Sequence, residues 1–183
     1  MIGISRTPVR EAVIQLSEES RIIEIFPQRG MRIALIDVDL VEEARFLRLV
    51  LEKAAVELVC GQADEEDLQW LDENIRLQEF YLEGGSSRKL LELDNEMHRK
   101  LFSICRKELT YEMSQRLAIH YDRIRSLSVA AVKDHKIIED HKKLLEAIRS
   151  RDKKLAAETM DLHLNRWMLN EQMFRDQYPA YFK

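Results

Sequence analysis

Apolar positions recur at helical intervals along nearly the whole chain, and at strand-like intervals in one place near its start. In residues 8–20, Val9, Ala12, Val13 and Leu16 follow the i, i+3, i+4, i+7 order that lines one face of a helix. Thr7 is suited to cap that helix and Pro8 to its first position, where a missing N–H costs nothing. Arg6 and Arg10 lie one turn apart and point elsewhere. The period then changes. In "RIIEIFPQRGMRIALI" two β-rich runs flank Pro27-Gln28-Arg29-Gly30, which predicts a hairpin with an Arg-Gly tip.

From Asp37 onward strand signals vanish. Leu40, Ala44, Leu47, Leu51, Ala54 and Leu58 predict the stripe of a first long helix, which Gly61 ends. Asp64 is placed to cap a second helix, with Leu68, Leu71, Ile75 and Leu82 inside. "EGGSS" at 83–87 reads as a loop, and further helices are expected over about 88–105, 109–130, 135–149 and 153–176. The expected fold is mainly α: an all-helical bundle of about six helices over 37–183, preceded over 1–36 by one helix and one β-hairpin. The composition agrees. In 183 residues, 45% hydrophobic and 34% charged with only 5 Gly and 3 Pro, a soluble helix-rich protein is favoured over a sandwich or a disordered chain. No apolar run approaches the roughly 18 residues of a membrane span and no signal peptide opens the chain, which predicts a cytoplasmic protein. Cys60 and Cys105 then read as reduced core residues.

The net charge of −4 does not itself suggest nucleic-acid binding, but it is uneven. Residues 1–36 carry five Arg against four Glu, while the remainder has 24 basic and 29 acidic residues. That asymmetry is too weak to decide function, so the weight falls on where particular polar residues sit.

Several lie on apolar stripes. The third long helix carries Leu90, Asp94, Met97, His98, Leu101 and Cys105, with Asp94 and His98 four apart and therefore reaching one spot. The fifth places His141 among Ile137, Leu144 and Ile148, and the sixth places His163 among Ala156, Met160 and Trp167. Taken singly, each histidine reads as a core residue bonded to a carbonyl. The set reads differently. "RSRD" at 149–152 makes a tight turn, with His141 ten residues before Arg151 and His163 twelve after it. In an antiparallel hairpin these positions oppose each other with a mismatch of about 3 Å. Three imidazoles and a carboxylate suit a divalent metal, zinc first, with nickel, manganese or iron as alternatives. Open coordination positions would accept water or a carboxylate. His120 lies on a stripe with Met113, Leu117, Ile124 and Leu127 and is a candidate to line the same cavity, or else a satisfied core histidine. His135, beside Asp134 at a helix start, reads as solvated.

"GISRTPVREAVIQL", then "PQRG", then Asp94, His98, His141 and His163 in a helical domain together resemble the GntR family of bacterial transcription regulators. The branch resembled is the FadR-like one with an FCD effector domain, over nearly the whole chain. "EDHKKLLEAIRSRDKKLAAETMDLHL" is similar to the end of that domain. The resemblance implies that residues 1–36 are part of a winged helix-turn-helix and that 37–183 form an effector-binding and dimerisation domain. It implies that Arg6 and Arg10 meet bases or phosphates of operator DNA, that Ser5 and Thr7 meet phosphates, and that Arg29 and Gly30 sit at the wing tip. Arginine can pair with guanine bidentately, and a glycine tip permits close approach to DNA. It further implies that Asp94 and the three histidines bind the metal, that a small carboxylate effector joins it, and that the regulator is a homodimer. Arg48 resembles the family's effector-contacting arginine; an i,i+4 pair with Glu52 is the equal alternative.

Two departures stand out. The family has about 30 more residues upstream, with Gly3-Ile4 here at the turn between helices, and its Asn-Pro after the third effector helix is replaced by Lys107-Glu108. A recognition helix and wing alone bury too little apolar surface to fold reliably. The chain as given, a truncated form or one whose start is placed late, is therefore expected to bind operator DNA poorly. An all-helical metal-dependent hydrolase is a competing reading, but that class needs adjacent His-Asp, and only Asp-His occurs, at 134–135 and 140–141. A ligand sensor lacking DNA binding is another. A mobility-shift titration against a longer form carrying the upstream helices checks the DNA expectation: the longer form should bind far more tightly, and equal affinities contradict it.

Overall fold

The computed structural model describes residues 5–131, 135–166, 168 and 171–183. The sequence-based readings of Gly3-Ile4, Asp134 and Trp167 fall outside them. Helix α1 (Arg6–Ser20) comes first. Its N-cap is Ser5 rather than Thr7, and no side chain bonds the exposed N–H groups there. Strands β1 (Ile23–Phe26) and β2 (Gly30–Ile33) pair antiparallel, Ile23 opposite Ile33 and Phe26 opposite Gly30. The turn works because Gln28 (φ 62°) and Gly30 (φ 102°) take the left-handed region. No residue of α1 is buried, so the apolar face around Val9 and Leu16 is open.

The bundle follows: α2 (Val38–Gln62), α3 (Glu65–Glu83), α4 (Ser87–Ile104), α5 (Glu108–Gln115), α6 (Ile119–Ala131), α7 (His135–Arg149), α8 (Lys153–Asn165) and α9 (Glu171–Gln177). Asp64 caps α3 in a reciprocal box with Asp67. Arg151 (φ 57°) turns the chain between α7 and α8, and Asp152 caps α8 by accepting from Leu155 N at 2.9 Å. α2 packs on α8, α8 on α7, α7 on α3, α3 on α4 and α4 back on α2, which closes a ring around the main core. Val56, Leu71, Met97, Leu101, Leu144 and Met160 fill it. A second core joins Ile36, Val41, Tyr121, Ile124, Phe174 and Phe182.

Three expectations are corrected. The first long helix does not stop at Gly61, and its most buried face is not the expected stripe. Leu47 and Leu51 are half-buried and Ala54 and Leu58 exposed, while Arg48 and Glu52 are buried. The reason is electrostatic: Glu52 is turned inward, where it meets both Arg48 and His98. The expected helix 109–130 is broken at 116–118, so Met113 and Leu117 are exposed while His120 and Ile124 are buried. The expected helix 153–176 is split into α8 and α9. That split lets the C-terminal segment fold back, where Phe182 bridges Ile36 and Lys183 Nζ reaches Asp37 Oδ2 at 2.6 Å. Among the described residues no helix is long and apolar enough to cross a membrane.

Phe174 is the anchor of the second core. Phe174→Ala is expected to destabilise the protein by about 3–5 kcal/mol, the cost of an unfilled aromatic site. Denaturant titration of the two proteins checks it.

Candidate metal centre

Helix periodicity places Asp94 and His98 on the inward face of α4, and the α7–α8 hairpin sets His141 opposite His163, with ring centroids 4.6 Å apart. One donor atom from each of the four residues lies within 4.8 Å of every other. His163 Nε2 is 3.2 Å from His98 Nε2 and 3.4 Å from His141 Nε2; Asp94 Oδ1 is 3.4 Å from His141 Nε2. Two imidazole nitrogens held at about 2.1 Å from one cation stand about 3.0 Å apart at a right angle and about 3.4 Å at the tetrahedral angle. Those three spacings fall in that interval, and His98 Nε2 stands slightly wider, 3.7 Å from Asp94 Oδ2.

The outer nitrogens explain which way the lone pairs point. Gln78 Nε2 donates to Asn74 Oδ1 at 2.7 Å, and Asn74 Nδ2 donates to Leu93 O at 3.1 Å, which fixes the orientation of the Gln78 amide. Its Oε1 must then accept from His141 Nδ1, 2.9 Å away, leaving the His141 Nε2 lone pair facing inward. His98 Nδ1 lies 2.5 Å from Glu52 Oε2, without the alignment of a hydrogen bond; two bare acceptors would not sit so close, so its proton belongs on Nδ1. Two inward lone pairs and a carboxylate thus share one spot with His163, whose own Nδ1 is 3.9 Å from Asp140. A single proton on His163 Nε2 satisfies one of these acceptors; a divalent cation satisfies all.

The field agrees. Burial pushes His141 down to about 4, against the pull of Asp94. Burial, then His141 and His98, hold His163 well below its ordinary value. These two imidazoles are neutral near pH 7, the state in which they ligate. Burial by itself would raise Asp94, but the Arg125 guanidinium beside it outweighs that and holds it ionised. Burial likewise opposes the Glu52 charge, and Arg48 and His98 prevail, bringing it to about 2.

A cavity of about 60 Å³ opens beside Asp94 and His163, with Tyr121, Arg125, Ser128 and Arg166 as polar lining and Leu90, Val129 and Ile137 as apolar lining. That is room for about four waters or one short organic acid. Arg125 Nη2 donates to Asp94, and Arg166 donates to Asp140, one of its bonds being 2.6 Å to Oδ1.

The structure therefore brings Asp94, His98, His141 and His163 together. It does not bring in Arg48, whose Nε donates to Glu52 Oε1 at 2.7 Å and whose guanidinium lies over the Tyr121 ring at 5.1 Å, behind the cavity. Nor does it bring in His120, which faces a separate cavity with Arg21, Asp39, Leu40 and Glu43; the break at 116–118 reorients the stripe on which its placement rested. Ser5, Arg6, Thr7, Arg10, Arg29 and Gly30 are all exposed, and Arg6, Arg10 and Gly30 line one open groove between α1 and the hairpin. Sequence reasoning missed Gln78, Asp140, Arg125 and Arg166. Asp140 had a signal, since it precedes His141 on a buried face; Gln78 and the two arginines stand in ordinary polar positions.

Comparison with known proteins follows the same lines. Residues 43–166 match the FCD domain. The chain is 27% identical over 181 residues to the HTH-type transcriptional repressor RspR of Escherichia coli, covering 98% of this chain and 79% of that one. It is 27% identical over 169 residues to the HTH-type transcriptional regulator YdhC of Bacillus subtilis, covering 89% and 73%. E. coli McbR/YncC has the same fold, with TM-score 0.80 and 20% identity over 96% of this chain and 87% of that one. A GntR family regulator of Pseudomonas syringae superposes with TM-score 0.61 at 22% identity, covering 96% and 74%. The chain belongs to the FCD family and is a transcription regulator of the GntR type, not an enzyme.

For the metal-free protein a pH dependence follows. A histidine depressed on folding binds its proton in the unfolded chain first, so the unfolded state gains protons as pH falls below about 6.5. Stability is expected to be full above that pH and to decline steadily towards about 4, where His141 titrates. Urea midpoints of chelator-treated protein across this range check it; a flat profile contradicts it.

Proposed function

We propose that this FCD-family regulator is metal-dependent and ligand-responsive. Asp94, His98, His141 and His163 hold one divalent cation, zinc first, with nickel, manganese or iron as alternatives. The observation that carries this reading is the convergence of four donors with two inward lone pairs fixed by Glu52 and Gln78. When bound, the cation supplies a Lewis acid to which a carboxylate oxygen can attach. The cavity beside it suits a small carboxylate effector: Arg125 and Arg166 present charge-assisted donors, and Leu90, Val129 and Ile137 limit the length of the carbon chain. Arg48 supports the site from behind Tyr121 rather than meeting the effector.

In this reading residues 1–36 are the DNA-reading unit, part of a winged helix-turn-helix, and 37–183 the effector and dimerisation unit of a cytoplasmic homodimer. Arg6 and Arg10, with Ser5 and Thr7, approach operator DNA from α1, and Arg29 and Gly30 from the hairpin tip. Two half-sites require two copies. Effector binding would favour one arrangement of the pair and so alter DNA affinity by linkage. The tail supports such a linkage: Phe182 and Lys183 clamp Ile36 and Asp37, where the two units meet.

Calorimetric titration of chelator-treated protein with ZnCl2, NiCl2 and MnCl2 tests the metal. One ion per chain is expected. His141→Ala should weaken binding at least about 100-fold, and Gln78→Leu about 10–100-fold, as loss of a ligand's orienting partner does. Binding that is absent, or unchanged in His141→Ala, contradicts the reading. Carboxylates of two to four carbons should raise the melting temperature only after metal loading.

A further inference from the structure

His120 is 2% exposed, and neither of its ring nitrogens has a hydrogen-bond partner among the described residues. A neutral imidazole carries one donor and one acceptor, and burying both unused is costly. Burial first, then the Arg123 guanidinium, push this ring below its ordinary value, so it is neutral. The Arg21 backbone pulls the other way without prevailing, and is not aligned to bond the ring. What the ring faces is a cavity of about 530 Å³. That cavity shares no residue with the one beside Asp94.

Three segments wall it: the end of α1, the first turns of α2 and the break before α6. Two long-range contacts hold them in place. Arg123 Nη1 donates to Ala34 O at 2.8 Å, and Phe182 bridges Ile36. The wall is acidic, with Glu18 and Glu19 from α1 and Asp39 and Glu43 from α2 against Arg21 and Arg116. Among the described residues no basic group lies within 4 Å of the Glu18, Asp39 or Glu43 carboxylates. α1 also has no basic residue in its last turn and places Glu18 and Glu19 there, the reverse of what the negative end of a helix dipole favours. Positive charge entering the cavity relieves all of these at once.

We propose that this cavity is a second ligand site, for a small organic molecule carrying two or more ammonium groups. One ammonium donates to the His120 ring, and the others pair with the Glu18, Asp39 and Glu43 carboxylates. Leu40 and Leu117 provide apolar wall for the methylenes between them. A bare metal ion needs donors drawn together as they are around His163, and among the described residues no other group of three or more converges so. Charges spread around a roomy cavity suit an extended cation instead. Arg21 and Arg116 can in addition receive a carboxylate, so a free polyamine and a basic amino acid share the chemistry that is recognised. Either one, bound there, ties the end of α1 to the bundle.

The test is calorimetric titration of the whole chelator-treated chain with putrescine, spermidine and lysine, at fixed ionic strength. One site per chain is expected. His120→Phe, and the double variant Asp39→Asn with Glu43→Gln, should each weaken binding at least about 10-fold, the loss of a charge-assisted bond. Glu66→Gln, an exposed carboxylate on α3, should leave it unchanged. Tighter binding of spermidine or putrescine assigns the site to polyamines, and tighter binding of lysine to basic amino acids. Should His120→Phe fail to fold, imidazole nitrogen NMR of the unmodified protein decides: the His120 signals should move on adding the amine while those of exposed His135 stay. No binding of any of the three, equal binding of MgCl2, or affinity unchanged in His120→Phe overturns the proposal. So does a second zinc ion per chain that is lost in His120→Phe, which makes the site one for a metal.

Discussion

The bundle is organised around acceptors that repel one another. His98 and His141 are turned with their lone pairs inward by Glu52 and Gln78, and Asp94 brings a full negative charge to the same few ångströms. In a low-dielectric interior such a convergence is unfavourable unless positive charge is placed in it. Arg125 supplies some from one side of Asp94, and a cation at the centre satisfies the donors that Arg125 does not reach.

The rest of the helical packing follows from feeding that centre. Its four donors come from α4, α7 and α8, and the groups that orient two of them come from α2 and α3. Burying Arg48 and Glu52 costs desolvation that an apolar pair would not. The pair is arranged to offset this: Glu52 accepts from Arg48 at 2.7 Å on one oxygen and meets His98 on the other. This is why the buried face of α2 is turned away from its best apolar stripe. The helix is rotated so that a carboxylate, not a leucine, faces His98, and the stripe is displaced to the edge of the bundle.

Much of this was legible in the sequence. Asp94 and His98 four apart, and His141 and His163 symmetric about a tight turn, needed only helical geometry to be brought together. The Asp64 cap, the hairpin and its Gly30 followed from local chemistry, whereas the cap of α1 fell on Ser5 and not Thr7. What was not legible were long-range choices. Gln78 becomes a histidine partner only because α3 packs on α7. His120 leaves the centre because the backbone breaks at 116–118, where no proline or glycine marks a break. The α8–α9 split depends on Phe174 and Phe182 reaching a core built by residues far back in the chain. Two apolar faces on one helix gave periodicity no basis for choosing which one the monomer buries.

X-ray absorption at the zinc edge of the reconstituted protein addresses the central claim most directly, because it reads the atoms around the ion. Three imidazole nitrogens at about 2.0–2.1 Å and oxygen in the remaining positions are expected. Sulfur bound to the ion at about 2.3 Å, from Cys60 or Cys105, or fewer than three imidazoles, would show that the ion sits elsewhere.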